Sequence, residues 1–375
     1  MTVHPQPVYN LPTPDGSTPI TMTPSAYMPG EAIYAEIRSQ PEAWEHLLAQ
    51  LASRRSDIQA FFEGVQAVVF GGCGSGLNAA LYAARLFQSQ AGIAALAAPA
   101  ADLTLFPESL IPRTREVRVV LFSRSGRTTE VVEALDQLQT RGIQVLGITC
   151  TRDSPLAEGA DATLLLEHVT EEAITTTRSF TGMVLAAQCV CGLAAGQEEV
   201  FDELQRLPDI LRSQMALCEE QARELGEQQA WERVAFVANG PSYGLARECQ
   251  LKIMETCRLE AQAYPLMDFR HGPQATVSED TLLVVLSARR GRGKEIHFAE
   301  DMRDLGARIW VIGSEVSAAF PMADHLLDTE SLVQDEHMGP LYLPPVHFLA
   351  YYRAMKMGLD PDRPANLSYW IETSH

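Results

Sequence analysis

The chain repeats itself. Residues Phe122 to Thr149 can be laid on Leu286 to Gly313 without a gap, so that Ser123 falls on Ser287, Leu138 near Met302 and Leu305, and Val145-Leu-Gly-Ile148 on Ile309-Trp-Val-Ile312. In each copy an apolar run of strand length passes through a turn into an amphipathic run of helical period. Strands alternating with helices pack as a parallel sheet covered on both faces. Duplication of such a unit confines the chain to a tandem α/β architecture, two sheets each flanked by helices. With 375 residues, each copy is long enough to bury its own core.

The rest of the chain is arranged around these two blocks. Prolines at 5, 7, 12, 14, 19, 24 and 29 rule out a helix or a strand ladder, so residues 1–30 read as a flexible arm. A helical pattern, interrupted near Pro41, fills 31–63 (Ile33, Ile37, Trp44, Leu47, Leu48, Leu51). The first α/β domain spans 64–196, with strands expected at Ala67 to Phe70, Val117 to Phe122, Gln144 to Thr149 and Ala162 to Glu167. Residues 197–231, rich in Glu and Gln, read as a helical linker. The second domain spans 232–358, with strands expected at Val234 to Ala238, Leu282 to Leu286, Ile309 to Ile312 and His325 to Asp328, and a tail covers 359–375.

Leu121-Phe-Ser-Arg-Ser-Gly-Arg-Thr-Thr-Glu130 joins the second of these strands to a helix whose apolar residues are Val131, Val132, Leu135 and Leu138. Such a loop aims backbone N–H groups and the positive end of a helix dipole at one place, where Ser123, Ser125 and Thr128 add hydroxyl donors; a phosphate is the natural guest. Taken alone, the stretch also fits an ordinary turn capped by Ser and Thr. In the second copy the loop reads Ser287-Ala-Arg-Arg-Gly-Arg292 and has lost its hydroxyls, which implies one phosphate site per chain. The cluster Arg289, Arg290, Arg292, Lys294 reads most simply as a solvated loop, with an effector site as the alternative.

Gly72-Cys-Gly-Ser-Gly76 follows the first strand and opens a helix, but Leu77 stands where a dinucleotide fingerprint needs its third glycine. Glycines here still let the backbone approach a ligand. Ser75 is placed either to bond a sugar or phosphate oxygen or to cap the helix. In the second domain Glu248, Lys252 and Glu255 share one helix face. That spacing suits a surface ion-pair ladder worth tenths of a kcal/mol per pair. The compact turn Phe269-Arg-His-Gly-Pro273 that follows offers an imidazole as well. A carboxylate and a histidine at one ligand suit the stepwise proton transfers of an aldose-ketose interconversion.

A formal charge of −19 argues against nucleic acid and acidic membranes as partners. An anionic substrate then needs a locally positive pocket, for which Arg124, Arg127 and Arg178 are candidates. The seven cysteines are scattered and show no metal spacing, so neither a metal site nor a cofactor is expected; they read as free thiols in a reducing cytoplasm. No signal peptide opens the chain, and the longest apolar run, about Met183 to Ala195, is too short to span a bilayer.

Taken in order, these motifs resemble the double sugar-isomerase (SIS) domain family. The chain is similar to the isomerase half of glutamine:fructose-6-phosphate amidotransferase, and closer to stand-alone glucosamine-6-phosphate deaminases and related phosphosugar isomerases. Residues 123–128 match the phosphate loop S-x-S-G-x-T, Thr175-Thr-Thr-Arg-Ser-Phe-Thr181 matches A-S-T-K-x-F-T, and Glu248-Cys-Gln-Leu-Lys-Ile-Met-Glu255 matches E-G-A-L-K-L-K-E. Arg270-His-Gly-Pro273 matches K-H-G-P, and Pro361-Asp-Arg-Pro-Ala-Asn-Leu367 matches the tail D-x-P-R-N-L. The resemblance implies a flavodoxin-like three-layer sandwich in each domain. It implies sugar-phosphate binding by Ser123, Ser125 and Thr128, with Gly74, Ser75, Gly76, Arg124, Thr175 and Thr176 nearby. Glu255 is then the base between C1 and C2, and His271 catalyses ring opening from the neighbouring subunit of a homodimer. Glu248 and Lys252 orient the open-chain sugar and stabilise enediolate-like charge.

Two departures shape the expected reaction. Residue 2 is Thr and no glutaminase domain precedes the isomerase part, so amination from glutamine is not expected. The tail lysine of the amidotransferase falls on Tyr369, which removes a Schiff-base amine. The expected function is isomerising deamination of glucosamine 6-phosphate to fructose 6-phosphate and ammonia. An isomerase or deglycase of another phosphosugar and a phosphosugar sensor without turnover are the alternatives.

Overall fold

The computed structural model describes residues 27–113, 116–227, 231–329 and 333–372, so the proline-bearing arm lies outside it up to residue 26. In the first sheet β1 (Ala67–Gly72), β2 (Ala94–Pro99), β3 (Val117–Phe122), β4 (Gln144–Thr149) and β5 (Ala162–Leu165) lie in the order β2-β1-β3-β4-β5. In the second, β6 (Arg233–Ala238), β7 (Ala261–Pro265), β8 (Thr281–Ser287), β9 (Arg308–Gly313) and β10 (His325–Asp328) lie in the order β7-β6-β8-β9-β10. Every pairing is parallel. Counted within each block the order is 2-1-3-4-5, the flavodoxin-like doubly wound arrangement. β1 and β8 are buried from end to end, as strands covered by helices on both faces must be.

Two strands escaped the sequence reading, and they occupy the same place. β2 and β7 are the edge strands beside β1 and β6, built from Ala-Ala-Leu-Ala-Ala-Pro and Ala-Gln-Ala-Tyr-Pro and mostly half-exposed. Alanine has little strand preference, and an edge strand needs no long apolar run; the proline closes each one where no ladder partner is lost.

The helices tie the sheets together. Ser39 breaks the first helical stretch into Glu31–Arg38 and Gln40–Ala52, with Pro41 in the first turn of the second. Arg178–Ala194, the apolar run, is a core helix buried continuously from Ser179 to Leu193. Among the described residues no helix is long and apolar enough to cross a membrane. The linker forms Val200–Leu204 and Leu207–Glu227; the latter buries Leu207, Leu211, Met215, Cys218, Ala222 and Leu225 at helical spacing and packs on Leu343–Lys356. One hydrophobic core runs through both halves, from Trp44 and Phe87 to Trp231 and Trp310.

The contact that matters for the site is between Ser75–Ala91, the helix after β1, and Ser242–Cys257, the helix after β6. They cross so closely that a methyl group on Gly244 would lie 2.6 Å from the Tyr82 backbone nitrogen. Only a glycine fits there. This crossing sets the carboxylate-bearing face of the second helix against the start of the first.

Candidate active site

In doubly wound sheets the chain leaves neighbouring strands in opposite directions at one point, and ligands bind in the crevice outside the carboxyl ends there. In the first sheet that point lies between β1 and β3. A cavity of about 220 Å³ opens there, walled by Gly74, Ser75 and Gly76 after β1, by Ser123, Arg124, Ser125 and Thr128 after β3, and by Thr176 and Glu255. Two helices, Ser75–Ala91 and Thr129–Thr140, begin at it. Gly126, at φ +62°, takes the left-handed turn that folds the loop back, and a methyl on Gly76 would lie 2.5 Å from the Phe122 carbonyl oxygen. The hydroxyls are not spent on capping: Thr128 makes no side-chain cap bond and lies 3.4 Å from Ser123 Oγ. Ser123 Oγ accepts from Gly126 N at 3.1 Å and Ser125 Oγ from Arg127 N at 3.2 Å, which holds both serine oxygens of the loop in place.

Ser75 is no helix cap. Its hydroxyl lies 2.9 Å from Glu248 Oε1 and 2.9 Å from Thr176 Oγ1. Asn78 Nδ2 donates to Glu248 Oε2 at 2.9 Å, so both carboxylate oxygens are held by the first domain. Lys252 Nζ lies 3.2 Å from Glu248 Oε1, donates to Thr176 Oγ1 at 2.8 Å and meets Glu255 Oε2 at 2.5 Å. Burial alone would lower the Lys252 ammonium's pKa; Glu248 and Glu255 outweigh it and hold the pKa raised, so the group stays charged. The surface-ladder alternative is thereby corrected: the triplet is a buried relay in which only the Glu255 side chain, 20% exposed, reaches the cavity. Glu248 and Lys252 sit behind the wall and do not line it.

Other expectations shift as well. Thr175 is buried and donates to Pro361 O, so it anchors the tail and does not line the cavity. Arg124 lines the cavity, yet its guanidinium is committed elsewhere. It stacks 3.8 Å from the Tyr369 ring centroid, donates to Ala173 O and Tyr369 O, and lies 3.7 Å from Glu171. Arg127 donates to Asp153 O and Arg178 to Thr170 O and Ser39 Oγ, so neither supplies the free cation the sequence reading sought. Positive potential at the cavity comes from the helix starts and backbone N–H groups, with the Arg124 guanidinium at the wall. His271 is exposed on the turn after Asp268–Arg270 and does not line the cavity.

Sequence reasoning matched the tail motif and set Tyr369 on the family's lysine, but did not place the tail as a wall of the cavity. Asn366 to Ile371 fold back as one wall of the cavity, with Thr129 N donating to Ile371 O and Tyr369 Oη to Glu171 O at 3.0 Å. Asp362 pins the start of this segment by accepting from Ile33 N at 2.8 Å. The only signal was the Asn-Leu motif itself. Cys73 also lines the cavity; burial pushes its thiol up to about 11, so it is protonated at neutral pH and no nucleophile. All seven cysteines are free, and among the described residues no cluster of three or more His, Cys, Asp or Glu is placed to share a metal ion.

The SIS domain profile matches residues 63–190 and 229–355, and the chain belongs to the SIS-domain family, with two such domains in tandem. Among curated relatives it is 26% identical over 338 residues to the glutamine–fructose-6-phosphate aminotransferase (isomerizing) of Sulfurisphaera tokodaii; the match covers 89% of this chain and 55% of the relative. The chain thus spans about half the length of the curated relatives it matches. Among solved structures, the glucosamine-6-phosphate deaminase of Thermotoga maritima is 26% identical with a TM-score of 0.68, covering 87% of this chain and 99% of that one. The tagatose-6-phosphate ketose/aldose isomerase of Escherichia coli shares the fold with a TM-score of 0.80 at 23% identity, covering 90% of this chain and 97% of that one.

Proposed function

We propose that this cavity binds a hexosamine 6-phosphate and that the chain converts it, with water, into the ketose 6-phosphate and ammonia. The observation that carries the reading is the position of Glu255. Alone of its triplet it faces the cavity, which is walled by the hydroxyl loop Ser123 to Thr128. The loop's hydroxyls and the two helix starts suit a phosphate. With the phosphate held there, the open-chain sugar extends toward Glu255. The carboxylate takes the C2 proton of the aldehyde, leaving an enolamine, and returns a proton to C1. The product carries a C1 hydroxyl and a C2 imine; water adds to the imine carbon and ammonia departs. Lys252, 2.5 Å from Glu255, fixes the base and places positive charge near the enolate-like oxygen. Glu248 acts as a positioning residue that locks the second domain onto Ser75 and Asn78.

Ring opening is assigned to His271 of a second copy, since this chain's own imidazole stands outside its cavity. The likeness to a deaminase at 26% identity and the absence of a tail amine at Tyr369 favour deamination over amination.

The test is an assay of ammonia and ketose over a panel of aldose, ketose and 2-amino sugar phosphates. Glucosamine 6-phosphate should yield both products, and Glu255→Gln should lower turnover about 10³-fold while phosphosugar binding persists. Undiminished turnover in that variant refutes the base assignment; ketose without ammonia converts the reading to a plain isomerase. Co-expressing Glu255→Gln with His271→Ala should restore activity that each lacks alone, because one site of the mixed dimer has both groups intact. No restoration means the histidine is not shared.

A further inference from the structure

The second sheet has a crevice of its own at the equivalent point, between the carboxyl ends of β6 and β8. It is a cavity of about 340 Å³, half as large again as the first. Its walls include Pro241 and Met267, with Asn239 and Ser242 as neutral polar groups and Arg290 and Lys294 as cations. The first domain closes it, through Tyr82 and Ser89 of the helix that begins at the first cavity.

The arginine cluster that the sequence left as a solvated loop divides here. Arg289 binds Glu315, Ser314 Oγ and Val333 O, and Arg292 binds Ser314 O and Glu315 O. Among the described residues the side chains of Arg290 and Lys294 have no such partner, and both line the crevice. Two carboxylates share the lining with them: Asp335, which accepts from the backbone N–H groups of Arg289 and Arg290, and Glu336, whose backbone oxygen accepts from Tyr82 Oη. In a chain of net charge −19, two cations without partners at the mouth of a cavity select an anion. Most of the exposed wall surface is apolar, which suits a flat apolar body better than a hexose with hydroxyls all round.

We propose that the crevice between β6 and β8 is a second binding site, and that it takes a nucleoside monophosphate. The base lies against Met267 and Pro241, the ribose hydroxyls meet Asn239 and Ser242, and the phosphate is met by Arg290 and Lys294. The site stands independently of the sugar chemistry assigned to the first cavity.

The test is calorimetric titration of the full chain with AMP, GMP, CMP and UMP, with inorganic phosphate as the control. At least one nucleotide should bind, more tightly than phosphate, and equally well to a Ser125→Ala/Thr128→Val variant of the first cavity. Arg290→Glu/Lys294→Glu should weaken it at least about tenfold. Met267→Trp, which fills the crevice from its rim, should weaken it as much, and melting curves establish that both variants are folded. The proposal is overturned if no nucleotide binds at about 5 mM, if phosphate binds as well as the nucleotides, or if binding survives both crevice variants. It is equally overturned if binding is lost in the Ser125→Ala/Thr128→Val variant, because the nucleotide then occupies the first cavity.

Discussion

The two crevices are the same place in two copies of one fold, and they differ in what fills them. In the first, β1 leads to Gly74-Ser75-Gly76 and β3 to the hydroxyl loop; in the second, β6 leads to Gly240-Pro241-Ser242 and β8 to Ser287-Ala-Arg-Arg-Gly-Arg292. Gly74 and Gly240 both turn at positive φ, +52° and +57°, so the backbone path is retained. The chemistry is not. Where the first copy has Val131, apolar and buried, the second has Glu295, buried just as fully. Ser287, the counterpart of Ser123, donates its hydroxyl to Glu295 Oε2 at 2.7 Å, and Asn239 Nδ2 lies 3.5 Å from Oε1. The second copy thus carries a built-in carboxylate on the hydroxyl whose counterpart in the first, Ser123, meets only Gly126 N and Thr128 Oγ1 of its own loop. Burial pushes the Glu295 carboxyl up to about 7. One backbone path is kept twice and several side chains on it differ: Ser287 is paired with Glu295, and Arg289 and Arg292 stand where the first copy has Ser125 and Thr128.

The strongest way to break this comparison is to move the carboxylate. Val131→Glu should place an internal anion beside Ser123 and raise KM for the phosphosugar at least about 100-fold, near 2.7 kcal/mol. A folded variant with unchanged KM shows that the cradle is not the phosphate site.

Glu295→Gln sharpens the other half. Glu295 keeps its proton to about 7 in the folded chain and to about 4.5 when unfolded. The folded state therefore binds the extra proton, and the advantage present below pH 4.5 is lost as pH rises through 7. By about pH 8 the buried charge should cost about 3 kcal/mol, which the glutamine avoids at every pH. Urea unfolding at both ends of that range should give the wild type a steeper decline than the variant. Parallel declines would remove Glu295 as the cause. Turnover should be unaffected.

Tyr369→Phe is the mildest test. It keeps the ring under Arg124 but deletes the hydrogen bond to Glu171 O, worth about 1 kcal/mol. The tail wall should loosen and KM should rise about fivefold with kcat preserved. A loss confined to kcat would instead make the tyrosine a participant in the chemistry.

Much of this molecule was readable in advance because its signals are local. β3, β4 and β10 have the ends their apolar runs predicted, and the Ser-Arg-Ser-Gly-Arg-Thr loop lies where strand and helix periods meet. The edge strands β2 and β7 were not readable, since half-exposed alanine runs look like loops. Nor was the spending of Arg124, Arg127 and Arg178. The partners of Arg124 and Arg127, the carbonyls of Ala173, Tyr369 and Asp153, and the Ser39 hydroxyl that meets Arg178 are far away in sequence. The spacing of Glu248, Lys252 and Glu255 was plain, but whether it was a surface ladder or a buried relay depended on which helix covered it.

By itself the sequence determined the repeated strand-turn-helix unit, the parallel order that follows from it, and which turn carries hydroxyls, since each depends on neighbours within a few residues. Only the tertiary structure decided which polar groups remain available. The close crossing at Gly244 buries Glu248 against Ser75 and Asn78, Thr176 meets Lys252, the returning tail occupies Arg124, and Glu295 occupies Ser287. A buried donor or acceptor must be matched by whatever packs against it. The groups left to meet a ligand are those the fold has not already paired.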